Sequence, residues 1–424
     1  MIKILKYGEL PIDEILSRTI PQTTVAGAVA EIVARVRAEG DAALYDYCAR
    51  FDGAKLDSLR VTEDEIDSAV SLIEPEFMAV LEKAAANIRA FHEKQLRSSF
   101  VINEAEGVVL GQKVIPIEKV GLYVPGGTAP LSSTVLMDAI PAKIAGCREI
   151  VMATPPGPDG TVNPAILAAA KVAGVDKIFK IGGAQAVAAL AYGTESVPKV
   201  DKIVGPGNAY VAEAKKQVYG LVSIDMIAGP SEILVVADGG SDPRHVAADL
   251  LSQAEHDKMA SAVLVTDSVI LAETVRSELE TQLAALPRVE IARASIENNG
   301  KIIVTPDLKT AIDVANALAP EHLELCVDDP FDWLDRVKNA GSIFLGRNSP
   351  EALGDYFAGA NHTLPTSGTA RFSSPLSVDD FVKKSQFIYY TKDALGAVAE
   401  DIARFARAEQ LEGHARSALI RTEE

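Results

Sequence analysis

Apolar residues recur along this chain with two different periods, and the change from one to the other divides it. From Thr23 to about Arg97 the spacing is helical throughout. Thr62 and Glu65 make a capping-box pattern ahead of one helix, and Pro75 opens another that sets Phe77, Leu81, Ala84, Ile88 and Phe91 on one face. Short β-like pieces follow (FVIN, GVVLGQKVIPI, GLYV), and then strand and helix patterns alternate: EIVMAT, NPAILAAAKVAG, KIFKIG, AQAVAALAYG, DKIVG, NAYVAEAKKQVYG. A second alternating block runs from SEILVVAD through HVAADLLSQAEH, SAVLVTD, VILAETVRSELETQLAAL, KIIVT, LKTAIDVANAL and HLELCV to SIFLG. This alternation predicts βαβ units and two mostly parallel sheets. From about Phe372 a loop rich in Ser, Thr, Pro and Gly leads into a helical, charge-rich tail too small for a domain of its own.

Composition narrows the function. The chain has 424 residues, 48% hydrophobic and 24% charged, which suits a globular protein with ample core. Its net charge of -18 argues against nucleic acid, since phosphate binding needs a concentrated Lys/Arg face. No signal-peptide pattern opens the sequence and no apolar run is long enough to span a bilayer, so the expected place is the cytoplasm, without a membrane partner. Cys48, Cys147 and Cys326 are an odd, widely spaced set without CxxC, so neither a disulfide framework nor a thiolate zinc site is indicated.

Three glycine-rich turns follow strand patterns in the first block: VPGGTAPLSST, IGGAQA and GPGNAY. None is GxGxxG, because GPGNAY has Pro between its first glycines and Tyr in place of the third. One such turn is most simply a tight bend, whereas three in one block point to a nucleotide at the carboxyl ends of the strands. In the second block the helix opened by Ser241 to Pro243 buries Val246, Leu250, Leu251 and Ala254 and ends with Gln253 and His256 on one face. These are possible zinc or manganese ligands, although His at a helix end also suits the macrodipole, and two ligands do not hold a divalent ion. Further candidates are Asp355, in a helix capped by Ser349 with Pro350 first and aimed at the carboxyl-end face of the sheet, and His362 in the loop behind it. Glu409 and His414 stand in the tail. Glu321 and His322, next to each other before a buried strand, are a candidate acid/base pair if the turn after Pro320 splays them into one site.

The stretches GLYVPGGTAPLSSTVLM, GGAQAVAALAYGT, IVGPGNAYVAEAKK, DMIAGPSEILV, LLSQAEHD, APEHLEL, GDYFAGANHTLPT and LEGHARS, in this order, resemble the histidinol dehydrogenase family along nearly the whole chain. The resemblance implies an enzyme of histidine biosynthesis that oxidises L-histidinol to L-histidine with two NAD, through an aldehyde. It implies two Rossmann-like parallel-sheet domains without GxGxxG, a homodimer and one zinc per active site. By motif the zinc ligands are Gln253, His256, Asp355 and His414; the general base is His322 and the water-activating residue Glu321. NAD contacts fall to Tyr123, Gln185 and Asn208. Ser231 and Glu409 match substrate contacts, joined by Gln253, His256, His322, Asp355 and His414. The expected organisation is an arm at 1–22, a first Rossmann-like domain from 23–117 and 233–371 including the helical lead-in, a second at 118–232, and a tail at 372–424 completing the partner's site. Three rivals stay open: a related enzyme for another small alcohol such as a sulfonated propanediol, a mechanism with Cys147 or Cys326 as nucleophile, and a non-catalytic zinc module.

Overall fold

The computed structural model describes residues 1–9, 11–17, 25–126 and 130–423. Strands are numbered in chain order. The first alternating block forms a parallel sheet in the order β6 (Lys177–Lys180), β5 (Glu149–Thr154), β4 (Lys119–Tyr123), β7 (Lys202–Val204), β8 (Ser223–Ile224). The second forms another: β1 (Lys3–Lys6), β11 (Lys301–Val304), β10 (Ser261–Thr266), β9 (Glu232–Ala237), β12 (His322–Cys326), β13 (Ser342–Leu345). In both alternating blocks the chain starts centrally, steps outward through two strands, then returns to the other side of its starting strand, while β1, first in the chain, closes the edge of the six-stranded sheet beside β11. The carboxyl ends of β4 and β7, and of β9 and β12, therefore flank topological switch points.

Both sheets are covered on two faces, which is why their strands read as continuous apolar runs. Along β9, Ile233, Val235 and Ala237 join one core cluster and Leu234 and Val236 the other. The five-stranded sheet is partitioned likewise, with Ile150 and Met152 on one side and Val151 and Ala153 on the other.

Two expectations about organisation change. The helical lead-in, grouped from the sequence with 233–371, packs on the five-stranded sheet. Val29, Ile32, Val33 and Val36 of helix Ala26–Glu39 share a core with Val151 and Phe179. Leu81, Ala84, Ala85 and Ile88 of helix Pro75–His92 share one with Val120 and Leu122. On that helix Phe77 and Phe91 are exposed, because the buried stripe is turned toward Ala85 and His92. The residue 1–22 arm contributes β1, which pairs with β11 from Lys3↔Lys301 to Lys6↔Val304.

The tail also holds a strand where only loop and helix were expected. β14 (Val382–Tyr390) pairs antiparallel along the whole of β3 (Val108–Pro116), with β2 (Phe100–Ile102) on β3's far edge. Nearly every residue of β14 is exposed, so no alternation of buried and open positions marks it in the sequence. Among the described residues no helix is long and apolar enough to cross a membrane.

Candidate active site

Glu321 and His322 sit at the amino end of β12, not at the carboxyl edge where Asp355 was expected to point. The helices that follow β9 and β13 run back antiparallel to their strands and bring their last turns to the amino edge. Glu321 and His322 are both buried, and they grip one residue of the next strand. The Glu232 N–H donates to Glu321 Oε2 (2.8 Å), and His322 Nδ1 donates to the Glu232 carbonyl (3.1 Å). A carbonyl can only accept, so this bond puts the proton on Nδ1 and leaves Nε2 as the acceptor nitrogen. That Nε2 is buried without a hydrogen-bond partner among the described residues. It stands 3.7 Å from Asp355 Oδ1 and 4.0 Å from Glu351 Oε1. Burial pushes the Glu321 carboxyl up to about 8. Burial opposes a charge on His322, yet the carboxylates of Glu321, Asp355 and Glu351 outweigh it and push the imidazole up to about 10; a cation held by Asp355 would cancel much of that attraction and favour the neutral ring with Nε2 free to accept.

Three imidazoles surround Asp355. His322 is on one side, His362 Nδ1 lies 3.8 Å from Oδ1, and His256 comes from the end of the first helix. Together they hold the Asp355 carboxyl below the usual range against the effect of burial. Helix Pro243–Ala254 buries Gln253, and His256 falls two residues beyond its end, tied back by its N–H to the Gln253 carbonyl at 3.2 Å. Asp355 belongs to helix Glu351–Tyr356, which starts one residue later than the sequence suggests, with Pro350 flanking it and Ser349 bonded to Leu345.

The ligand atoms of His256, Glu351 and Asp355 all lie within 4.8 Å of one another. Beside this cluster Gln253 Oε1 and Glu351 Oε1 are buried acceptors without hydrogen-bond partners. Imidazole nitrogen with carboxylate and amide oxygen is a donor set that fits a zinc-type cation. Ser231 precedes β9 at this same amino edge, its carbonyl accepting from Ser261 N–H at 2.9 Å. Glu409 and His414 are not brought into the cluster; both are exposed in the tail. Glu351 was not singled out from the sequence, because an acid in a first helical turn is ordinary there.

A cleft of 1130 Å³ opens beside His256 and Tyr356 and runs along the carboxyl edge of the five-stranded sheet, where Tyr123, Gln185 and Asn208 line it. Tyr123 ends β4, and its hydroxyl accepts from the Gly183 N–H at 3.1 Å. Gln185 is in the first turn of helix Gly183–Tyr192. Asn208 caps helix Ala209–Val218, accepting from the Tyr210 and Val211 N–H groups. Gly205 has φ +114, and a side chain there would overlap the Tyr123 carbonyl, so the GPGN turn needs glycine. Two helix N-termini over a large cleft suit a dinucleotide's phosphates. The tip of the third glycine-rich turn, residues 127–129, lies outside the described residues.

Comparison with known proteins gives one consistent picture. Residues 17–422 match the family model described as histidinol dehydrogenase. Histidinol dehydrogenase of Bacillus cereus is 56% identical over 96% of this chain and 94% of its own, and that of Syntrophotalea carbinolica 54% identical over 99% of both. The crystal structure of histidinol dehydrogenase from Elizabethkingia anophelis superposes with TM-score 0.95 at 40% identity, covering 99% of this chain and 98% of that one.

Proposed function

This chain belongs to the histidinol dehydrogenase family and oxidises L-histidinol to L-histidine, and from that premise we propose that the His322 cluster performs the chemistry with zinc and NAD as cofactors. Gln253, His256, Asp355 and His414 would hold the zinc, and Tyr123, Gln185 and Asn208 would contact NAD. When bound, zinc supplies a fixed positive centre that orients the imidazole and amine of histidinol, and NAD supplies the hydride acceptor for each oxidation.

The observation that carries this reading is the state of His322. One ring nitrogen is pinned by the Glu232 carbonyl, and the other is buried, unpartnered and aimed into the cluster. In the first oxidation His322 Nε2 takes the hydroxyl proton as hydride leaves the same carbon. The aldehyde must then gain a water molecule before it can lose a second hydride. Glu321, held by the Glu232 N–H, takes a proton from that water in its ionised form, whose raised pKa makes it a stronger base than an ordinary carboxylate. As the water adds, His322 returns its proton to the carbonyl oxygen, and it then takes the hydroxyl proton of the hydrate as the second hydride leaves.

A sulfonated-propanediol enzyme finds no support beside relatives named histidinol dehydrogenase at 54–56% identity. A cysteine nucleophile is disfavoured as well: burial pushes Cys147 up to about 11 and Cys326 higher still, so neither forms thiolate at neutral pH. Glu409 and His414 belong to the active site of a partner copy in a homodimer, which accounts for closing helices, Ala399–Ala408 and Glu412–Leu419, that leave Phe405 and the intervening Leu411 exposed and bury only alanines. Buried free thiols suit the cytoplasm, the compartment proposed here. The test is stoichiometric: purified protein with L-histidinol and NAD should form two NADH per histidinol consumed, and a ratio of one would leave only a simple alcohol oxidation.

A further inference from the structure

In a doubly wound nucleotide-binding unit, a carboxylate at the carboxyl end of the second strand accepts hydrogen bonds from the adenosine ribose hydroxyls. In this chain the second strand is β5, and it runs out into Thr154, Pro155, Pro156 and Gly157 with no acid. The nearest one along the chain, Asp159, is occupied inside its own turn by the N–H and hydroxyl of Thr161.

A different carboxylate stands over that place. Residues Cys48–Asp52 form a π-helical turn closed by Gly53 at φ +69, a kind of irregularity that collects at functional sites. The Cys48 thiol donates to the carbonyl of Lys180, the last residue of β6 (3.4 Å). Just beyond the turn, Gly53 faces Pro158 and Leu56 faces Gly160, so the segment lies against the loop that leaves β5. Asp52 thereby lines the same cleft as Tyr123, Pro155, Gly183 and Asn208. Its Oδ2 is buried and has no hydrogen-bond partner among the described residues, and burial pushes the carboxyl up to about 6. Arg50, the cation on the same wall, is drawn instead to Asp46 (3.5 Å) and lies over the rings of Tyr47 and Phe51.

We propose that Asp52 accepts hydrogen bonds from the adenosine ribose hydroxyls of NAD and, by repelling a 2′-phosphate, makes the enzyme prefer NAD to NADP. The missing acid of β5 is thus supplied by the helical lead-in. This rests on the cofactor cleft proposed above.

The wild-type enzyme and its Asp52→Asn, Asp52→Glu and Gln185→Ala variants are compared for equilibrium Kd by calorimetric titration, without histidinol, and for kcat/KM, with NAD, NADP and the 2′-deoxyadenosine analogue of NAD. A hydrogen bond to a charged acceptor corresponds to about a 10- to 100-fold preference, so wild type should favour NAD over the deoxy analogue by that factor, mainly through KM. Asp52→Asn should lose most of this preference and reject NADP at least tenfold less strongly. Asp52→Glu, which keeps the charge, should retain rejection of NADP. Wild-type indifference to the 2′-hydroxyl overturns the proposal even if Asp52→Asn fails to fold, and so does an Asn variant with both wild-type ratios. If Gln185→Ala loses NAD affinity while Asp52→Asn does not, only the role of Asp52 falls; if neither loses it, the cleft assignment falls too.

Discussion

Glu321 and His322 are neighbours in an extended segment, and alternation should send their side chains to opposite faces. They share one site because Ala319, at the end of helix Leu308–Leu318, adopts φ 48 and turns the chain just before them. Alanine carries no mark of a left-handed conformation, so this feature could not be read from the residues, although the pair itself could. The division of labour between them can be tested with histidinal. Glu321→Gln keeps the shape and loses the basicity, so NADH formation from histidinal should fall by about 10²- to 10⁴-fold, the usual loss for one proton-transfer group. Reduction of histidinal with NADH needs no added water and should be largely spared; equal losses would merge the two residues into one acid/base unit. A second acid pair is hidden beneath the site. Glu324 accepts from the Glu351 N–H at 2.7 Å, and burial, then the negative charge of Asp249, push its carboxyl up to about 9. Between the ordinary carboxyl value and that point the folded state keeps a proton the unfolded chain has lost, so stability falls as pH rises. Glu324→Gln removes this slope, and its melting temperature should drop less than that of wild type from pH 6 to pH 9. Parallel curves would mean that Glu324 is ionised at neutral pH.

At the scale of elements, a strap joins the two halves. Pro141 lies inside helix Ser132–Ala145 and has no N–H for the Met137 carbonyl four residues earlier. Asn361 Nδ2 donates to that carbonyl (2.7 Å), while its Oδ1 accepts from the Thr363 N–H (2.9 Å). Thr363 donates to buried Asp138 (3.1 Å), and Thr134 faces His362 at 3.4 Å. His362 is therefore aimed at Asp355 by a helix of the other sheet. Asn361→Ala should cost about 1–3 kcal/mol in urea unfolding for each buried group left unpaired and lower kcat as His362 loosens. The cost should shrink in a Pro141→Ala background, where the helix can satisfy Met137 itself; an unchanged cost would refute the explanation. The periods of the sequence predicted both parallel sheets and the helix Pro243–Ala254 that carries Gln253. The strap escaped, since Asn361 owes its role to a proline in a helix more than two hundred residues earlier.

At the scale of the molecule, two sheets wound alike are used from opposite ends, the five-stranded one at its carboxyl edge and the six-stranded one at its amino edge, and both edges meet at the cleft beside His256. Four apolar core clusters include none of the proposed metal ligands, so the fold should not depend on the ion. Chelation should abolish turnover, restorable with zinc, while circular dichroism shows no unfolding; cooperative unfolding on chelation would make the metal structural. Mixing and refolding His414→Ala with Glu321→Gln, each unable alone to carry histidinol through to histidine, should restore up to about a quarter of the wild-type rate of histidine formation, because half the dimers are mixed and each holds one intact site. A mixture that stays dead while both variants dimerise would mean that the tail serves its own chain. One feature also orders events at the ribosome. β1 leaves the exit tunnel first, but its partner β11 is made nearly three hundred residues later, after the complete five-stranded sheet. Residues Lys3–Lys6 must therefore wait unpaired through most of synthesis, and their two lysines keep this waiting edge from recruiting strands of neighbouring nascent chains.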